Sequence, residues 1–146
     1  MATFSRSAVL EWSGDVRHGS GTVTAGTSAF HVAASFPRLA GEPPGTTTPE
    51  EMLAASHAIC FGIGLRSVIA RRGGVAQRVR VTATISAEKG AGGIRIRSSH
   101  LTAAIEGLEG LSPTELREIA ELTEQECTIS AAIRGSVAIT HEVTSV

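Results

Sequence analysis

Between Thr48 and the Gly73-Gly74 pair lies a segment that leaves the chain few ways to fold. Thr48 is a good N-cap, Pro49 suits the first helical position, and Glu51 stands where it completes a capping box. The run that follows, EEMLAASHAICFGIGLRSVIARR, is nearly uncharged in its middle and rich in small residues: Ala54, Ala55, Ser56, Ala58, Gly62 and Gly64. A helix that is apolar on all sides has to be buried. Gly62 and Gly64 cost helix propensity, so packing must demand them. The pattern predicts a long central helix that ends at Gly73-Gly74, with the rest of the chain built around it.

Short strands precede it. Ser7–Trp12 alternates imperfectly, Gly21–Ala25 and Phe30–Ala34 follow after turn residues, and the three make a meander. The stretch from Phe36 to Thr48, FPRLAGEPPGTTT, is irregular and long enough to suggest a functional loop. After the helix, Arg78–Ile85 alternates cleanly, Gly90-Ala91-Gly92-Gly93 turns the chain, and the return strand runs from Ile94 to Ile105. A second helix starts at Ser112-Pro113-Thr114-Glu115 and carries Leu116, Ile119, Ala120 and Leu122 at helical spacing. Ile129–Arg134 is a further short helical piece, and Val137–Val143 closes the chain as a strand. The order predicts one α+β domain over residues 1–146, with helices packed on sheets.

Composition excludes several functions. The net charge of -1 gives no electrostatic case for nucleic acid or an anionic membrane. The aromatic residues are Phe4, Phe30, Phe36, Phe61 and Trp12, too few to offer a stacking platform to single strands. No run reaches the ~18 consecutive apolar residues of a membrane span. The N-terminus, MATFSRSAVLEW, has no basic region, apolar region and cleavage site in series, so a cytoplasmic location is expected. His18, His31, His57, His100 and His141 are scattered without ligand spacing and no CxxC occurs, so neither metal nor cofactor is expected.

The chemistry rests on Cys60 and Cys127. In a reducing cytosol a permanent disulfide is not the default, and two inert buried thiols are the plain reading. For Cys60 to act as a nucleophile, a cation must hold its thiolate, because a helix interior offers no help. Arg38 in the irregular loop is the first candidate and Arg17 in the first turn region its rival. Glu50 is a natural partner for such an arginine, or else a first-turn charge that complements the helix dipole. Ten residues of helix put Glu50 about 15 Å from Cys60, so one site can use both only if two chains cross their helices. His57, one turn before Cys60, raises a Cys-His hydrolase, but no Asp or Asn is placed to orient it. A satisfied core histidine is the better reading.

Taken together these residues resemble the OsmC/Ohr family, the osmotically inducible and organic hydroperoxide resistance proteins, in its OsmC-like branch. Residues Gly45 to Phe61, GTTTPEEMLAASHAICF, are similar to that family's G-T-N-P-E-E-L…A-A-H-A-x-C-F helix. Trp12-Ser13-Gly14-Asp15 and Gly19-Ser20-Gly21-Thr22-Val23 match W-x-G-D and G-x-G-T-V, and Cys127-Thr128-Ile129-Ser130 occupies the place of C-P-[VI]-S, with Thr128 where the family carries proline.

The resemblance implies antiparallel sheets packed on the buried central helix, in an intertwined homodimer with sites at the subunit interface. It implies a thiol peroxidase of the oxidative stress response. Cys60 attacks an organic hydroperoxide, Cys127 resolves the sulfenic acid as a redox-active disulfide, and Arg38 and Glu50 support the thiolate. The partners implied are the hydroperoxide substrate and a dithiol reductant such as a lipoylated protein. Phe36, Leu39, Ile59 and Phe61 are candidates for an apolar wall. The other function open to the same fold is a non-catalytic dimeric binding or structural module.

Overall fold

The computed structural model describes residues 1–37 and 45–146; Arg38 and Leu39 lie outside the described residues. The chain divides into two units, Met1–Met52 and Leu53–Val146. In the first, β1 (Ala8–Ser13), β2 (Ser20–Ala25) and β3 (His31–Ala34) form the expected antiparallel meander. Val23 is its centre, opposite Leu10 on one side and Val32 on the other. The sheet leaves large apolar groups in solvent, with Val9 and Leu10 each 58% exposed.

Helix α1 (Pro49–Arg71) starts as its sequence dictates. The Thr48 hydroxyl accepts the Glu51 N–H at 3.3 Å. It stops where Gly73 takes φ 79°, a conformation that disfavours residues with a Cβ. There the Gly74 N–H reaches back to the Ile69 carbonyl at 2.9 Å. By length and mean hydropathy (1.5) α1 could cross a membrane. Here it is a core helix, burying His57, Phe61, Leu65, Val68 and Ile69.

The second unit continues with β4 (Arg78–Gly90), β5 (Gly93–Glu106), α2 (Pro113–Glu126), α3 (Thr128–Ile133) and β6 (Ala138–Ser145). The hairpin strand β4 extends five residues beyond the alternating stretch, to Gly90, through a register shift at Ser86/Ala87. The Ser112 hydroxyl and the Glu115 carboxylate complete the reciprocal capping box of α2. Strand β6 departs from the antiparallel expectation: it lies parallel to β5, with Leu101 opposite His141 and Ala103 opposite Val143. The physical reason is the crossover through α2 and α3, which returns the chain to the same end of the sheet.

Period-two alternation puts Val79, Val81 and Ala83 of β4, Leu101, Ala103 and Ile105 of β5, and Ile139 and Val143 of β6 with Phe61, Leu65, Val68 and Ile69 of α1 and Leu116 and Ile119 of α2 in one core. The expectation of a helix buried on every side holds only in part. The face carrying Ile59 (61% exposed) and Ile63 (68%) is open within one chain.

The two α1 glycines differ in what they allow. A Cβ on Gly62 would stand 3.2 Å from Val81 Cγ2, whereas one on Gly64 would meet Thr123 Cγ2 at 3.4 Å, an ordinary contact. Gly62→Leu should therefore destabilise the protein by about 1–3 kcal/mol through overpacking. Gly64→Ala should stabilise it by up to about 1 kcal/mol through helix propensity. Urea unfolding of the two variants beside the wild type measures both signs.

Candidate dithiol site

Cys60 lies midway along α1, half-buried, and Cys127 is buried at the joint between α2 and α3. Cys127 serves two helices at once. Its extended backbone (φ −67°, ψ 119°) ends α2, and its sulfur caps α3 by accepting the Ser130 N–H at 3.4 Å. That joint delivers the second thiol to the first. Both are free, and they are close enough for each to bear on the ionisation of the other.

The thiols are held in different states. Burial pushes the Cys60 thiol up, but four donors together bring it below its ordinary value: the Thr128 hydroxyl, the Ile129 N–H, the Cys127 thiol and the Thr128 N–H. The Thr128 Oγ1 stands 3.4 Å from Cys60 Sγ. Burial pushes Cys127 up, and although the Ser130 N–H opposes that, the neighbouring Cys60 adds to it. Of the two, Cys60 ionises the more readily and Cys127 the less.

Thr128 is a residue that sequence reasoning undervalued. It was legible only as a departure from proline, yet its hydroxyl and N–H are both donors to Cys60, and a proline would supply neither. Ser130 and Ser99 were missed as well. The Cys127-x-x-Ser130 spacing of an N-cap could have signalled the first; nothing in the sequence points to Ser99.

Directly behind the thiols sits His57, fully buried, with its Nδ1 2.7 Å from Ser99 Oγ and its Nε2 2.8 Å from Ser130 Oγ. Burial lowers its pKa, more than the nearby Glu124 carboxylate raises it, so the ring is neutral. The satisfied core histidine is what the structure shows. Because both ring nitrogens are engaged by serines, neither is left to activate Cys60 as a hydrolase would require.

Other expected site residues fall elsewhere. Glu50 is in the first turn of α1, in the first unit, and its Oε2 is shielded from solvent with no hydrogen-bond partner among the described residues. Arg17 is also in the first unit, in a turn where the Asp15 carboxylate accepts its backbone N–H at 2.8 Å. Phe61 is in the core at 0% exposure and cannot wall a substrate pocket; Ile59 remains exposed.

Fold and site together define a class: an α+β protein with a thiol of favoured ionisation on its central helix and a second thiol at a helix joint. Residues 41–142 match the family described as OsmC-like protein, and the chain belongs to it. It is 22% identical to the peroxiredoxin OsmC of Escherichia coli over 143 residues, covering 98% of this chain and 99% of that protein. An organic hydroperoxide resistance protein from Elizabethkingia anophelis, solved with thiocyanate bound, is 23% identical with a TM-score of 0.81, covering 99% of each chain. OhrB of Bacillus subtilis is 23% identical with a TM-score of 0.71, covering 94% of this chain and 98% of that one. These likenesses show the fold, and family membership suggests a redox function of the peroxiredoxin type.

The unequal thiols make a direct prediction. Iodoacetamide at neutral pH should label Cys60 before Cys127, because only the thiolate reacts and Cys60 ionises at the lower pH. Thr128→Val should move the midpoint of the Cys60 pH–rate profile upward, and Thr128→Ser should leave it in place. Peptide mapping by mass spectrometry follows each cysteine separately.

Proposed function

We propose that this protein is a cysteine-based peroxidase that reduces organic hydroperoxides to alcohols in the cytoplasm. The observation that carries the reading is a second thiol, Cys127, whose neighbour Thr128 stands 3.4 Å from a Cys60 sulfur whose ionisation is favoured. In the first step the Cys60 thiolate attacks the outer peroxide oxygen. An S–O bond forms, the O–O bond breaks, and the departing alkoxide takes a proton to become the alcohol. The Cys60 sulfenic acid then condenses with the Cys127 thiol, forming the disulfide and releasing water, which protects Cys60 from irreversible oxidation. A dithiol, such as that of a lipoylated protein, returns both cysteines to the reduced state.

Two charged residues are assigned through the family pattern. Arg38 would stabilise the Cys60 thiolate and the developing alkoxide, and Glu50 would orient a guanidinium by a charge-assisted pair. The Glu50 Oε2, shielded and without a hydrogen-bond partner among the described residues, supports a carboxylate kept for such a guanidinium.

The working unit is a homodimer. Support comes from the apolar groups that one chain leaves in water, Ile59 and Ile63 on α1 and Val9 and Leu10 on β1. Exposed apolar groups of this size mark an association face in each unit, and a two-fold pairing would cover those of both chains at once.

With dithiothreitol supplied, the wild type should consume cumene hydroperoxide, and Cys60→Ser should be inactive. Cys127→Ser should form one sulfenic acid per chain and then drift to sulfinic and sulfonic forms, read by mass. Arg38→Ala and Glu50→Ala should slow peroxide reduction. Sedimentation at micromolar concentration should give the mass of two chains. Sustained turnover by Cys60→Ser would overturn the peroxidase reading, and a monomer would overturn the dimer.

A further inference from the structure

The step that closes the disulfide needs something the thiol pair does not itself provide. Cys127 is buried, and its environment disfavours ionisation, yet it must lose a proton as it attacks the oxidised Cys60. While Cys60 is ionised, it is an acceptor to which the neighbouring Cys127 thiol can donate. Oxidation of Cys60 removes this acceptor. Among the described residues the other polar neighbour of the Cys127 sulfur is Ser130, which gives it an N–H at 3.4 Å and whose side chain also favours its ionisation. The Ser130 Oγ in turn stands 2.8 Å from His57 Nε2, and His57 Nδ1 stands 2.7 Å from Ser99 Oγ. All three of these residues are fully buried.

The geometry points to Ser130 and His57 as a proton relay for the resolving step, with Ser99 fixing the ring tautomer. This rests on the proposed role of Cys127 and goes beyond it by assigning the base. With Nδ1–H donated to the Ser99 oxygen, Nε2 is left as an acceptor for the Ser130 hydroxyl. As the Cys127 sulfur bonds to the Cys60 sulfur, its proton passes to Ser130 Oγ while the Ser130 proton passes to His57 Nε2. The S–O bond breaks, and the proton returns along the same hydroxyl to the departing hydroxide as water. His57 acts through Ser130, so it is a positioning residue. Among the described residues the charged group that acts on the ring is Glu124 of α2, itself paired with Arg134 at 2.9 Å.

The test needs no peroxide. Dithiobis(nitrobenzoate) offered to the reduced protein should release one thionitrobenzoate when the Cys60 thiolate attacks it. A second should follow when Cys127 displaces the mixed disulfide and gives up its proton. In Ser130→Ala and in His57→Gln the first release should keep its rate, while the second should fall at least about tenfold at neutral pH, the lower end of what a general base contributes short of its full effect. Raising the pH should close that gap, because Cys127 then ionises without help; Ser130→Thr should behave as wild type. A second release slowed by no more than about twofold in both variants would overturn the relay, since a base worth having gives more. So would a deficit that is the same at every pH, the mark of a displaced thiol. If His57→Gln fails to fold, Ser130→Ala decides alone, because it removes the link and leaves the ring. Loss of peroxide turnover with the pH-dependent second release intact would overturn the peroxidase reading and not the relay.

Discussion

The site depends on one buried imidazole with a serine on each nitrogen. His57 belongs to α1, Ser99 to β5 and Ser130 to α3, so the two hydrogen bonds of a single ring tie a helix, a sheet and a helix joint together. Buried polar groups are costly unless satisfied, and this one is satisfied on both sides. That makes the arrangement specific: a shift of α3 along α1 would strand the ring's Nε2 and the Ser130 hydroxyl. Cys60 is one turn further along the same helix, and Cys127 is three residues before Ser130. The placement of the two thiols is a by-product of keeping the ring satisfied.

Much of the fold could be read from local signals. The Thr48-Pro49 start and the Gly73-Gly74 stop bound α1 because capping and left-handed backbone are properties of a few adjacent residues. The same holds for the Ser112 box of α2 and for the clean alternation that makes β4. The direction of β6 was not legible, because parallel pairing depends on where the α2–α3 crossover delivers the chain. The one-sided burial of α1 was misread for a related reason. Small apolar residues say that something packs closely, but not whether the same chain supplies it.

The site was legible to a lesser degree. Both thiols and the family spacing around Cys60 stand out in the sequence. What favours ionisation of Cys60 does not, because a reactive thiol suggests a cation nearby while the donors among the described residues are a hydroxyl, a thiol and two backbone N–H groups at the α3 joint. Such donors carry no charge that a sequence would advertise. Thr128 illustrates the difficulty: its side chain matters because of where the Cys127 joint aims it, which is a tertiary fact.

The position of Cys127 on the far side of the hairpin has a thermodynamic side. A bond between Cys60 and Cys127 would enclose β4, β5 and α2 within one covalent ring, nearly the whole core-forming part of the second unit. Closing a loop of that order restricts the unfolded chain by roughly 4 kcal/mol in the entropic account. With such a bond the oxidised protein would be the sturdier of the two forms, and its gain in stability would be the same free energy that a reductant must overcome to reopen the ring. Recycling and unfolding are linked through one bond, so a chain loosened elsewhere in this unit would change the ease of its own reduction.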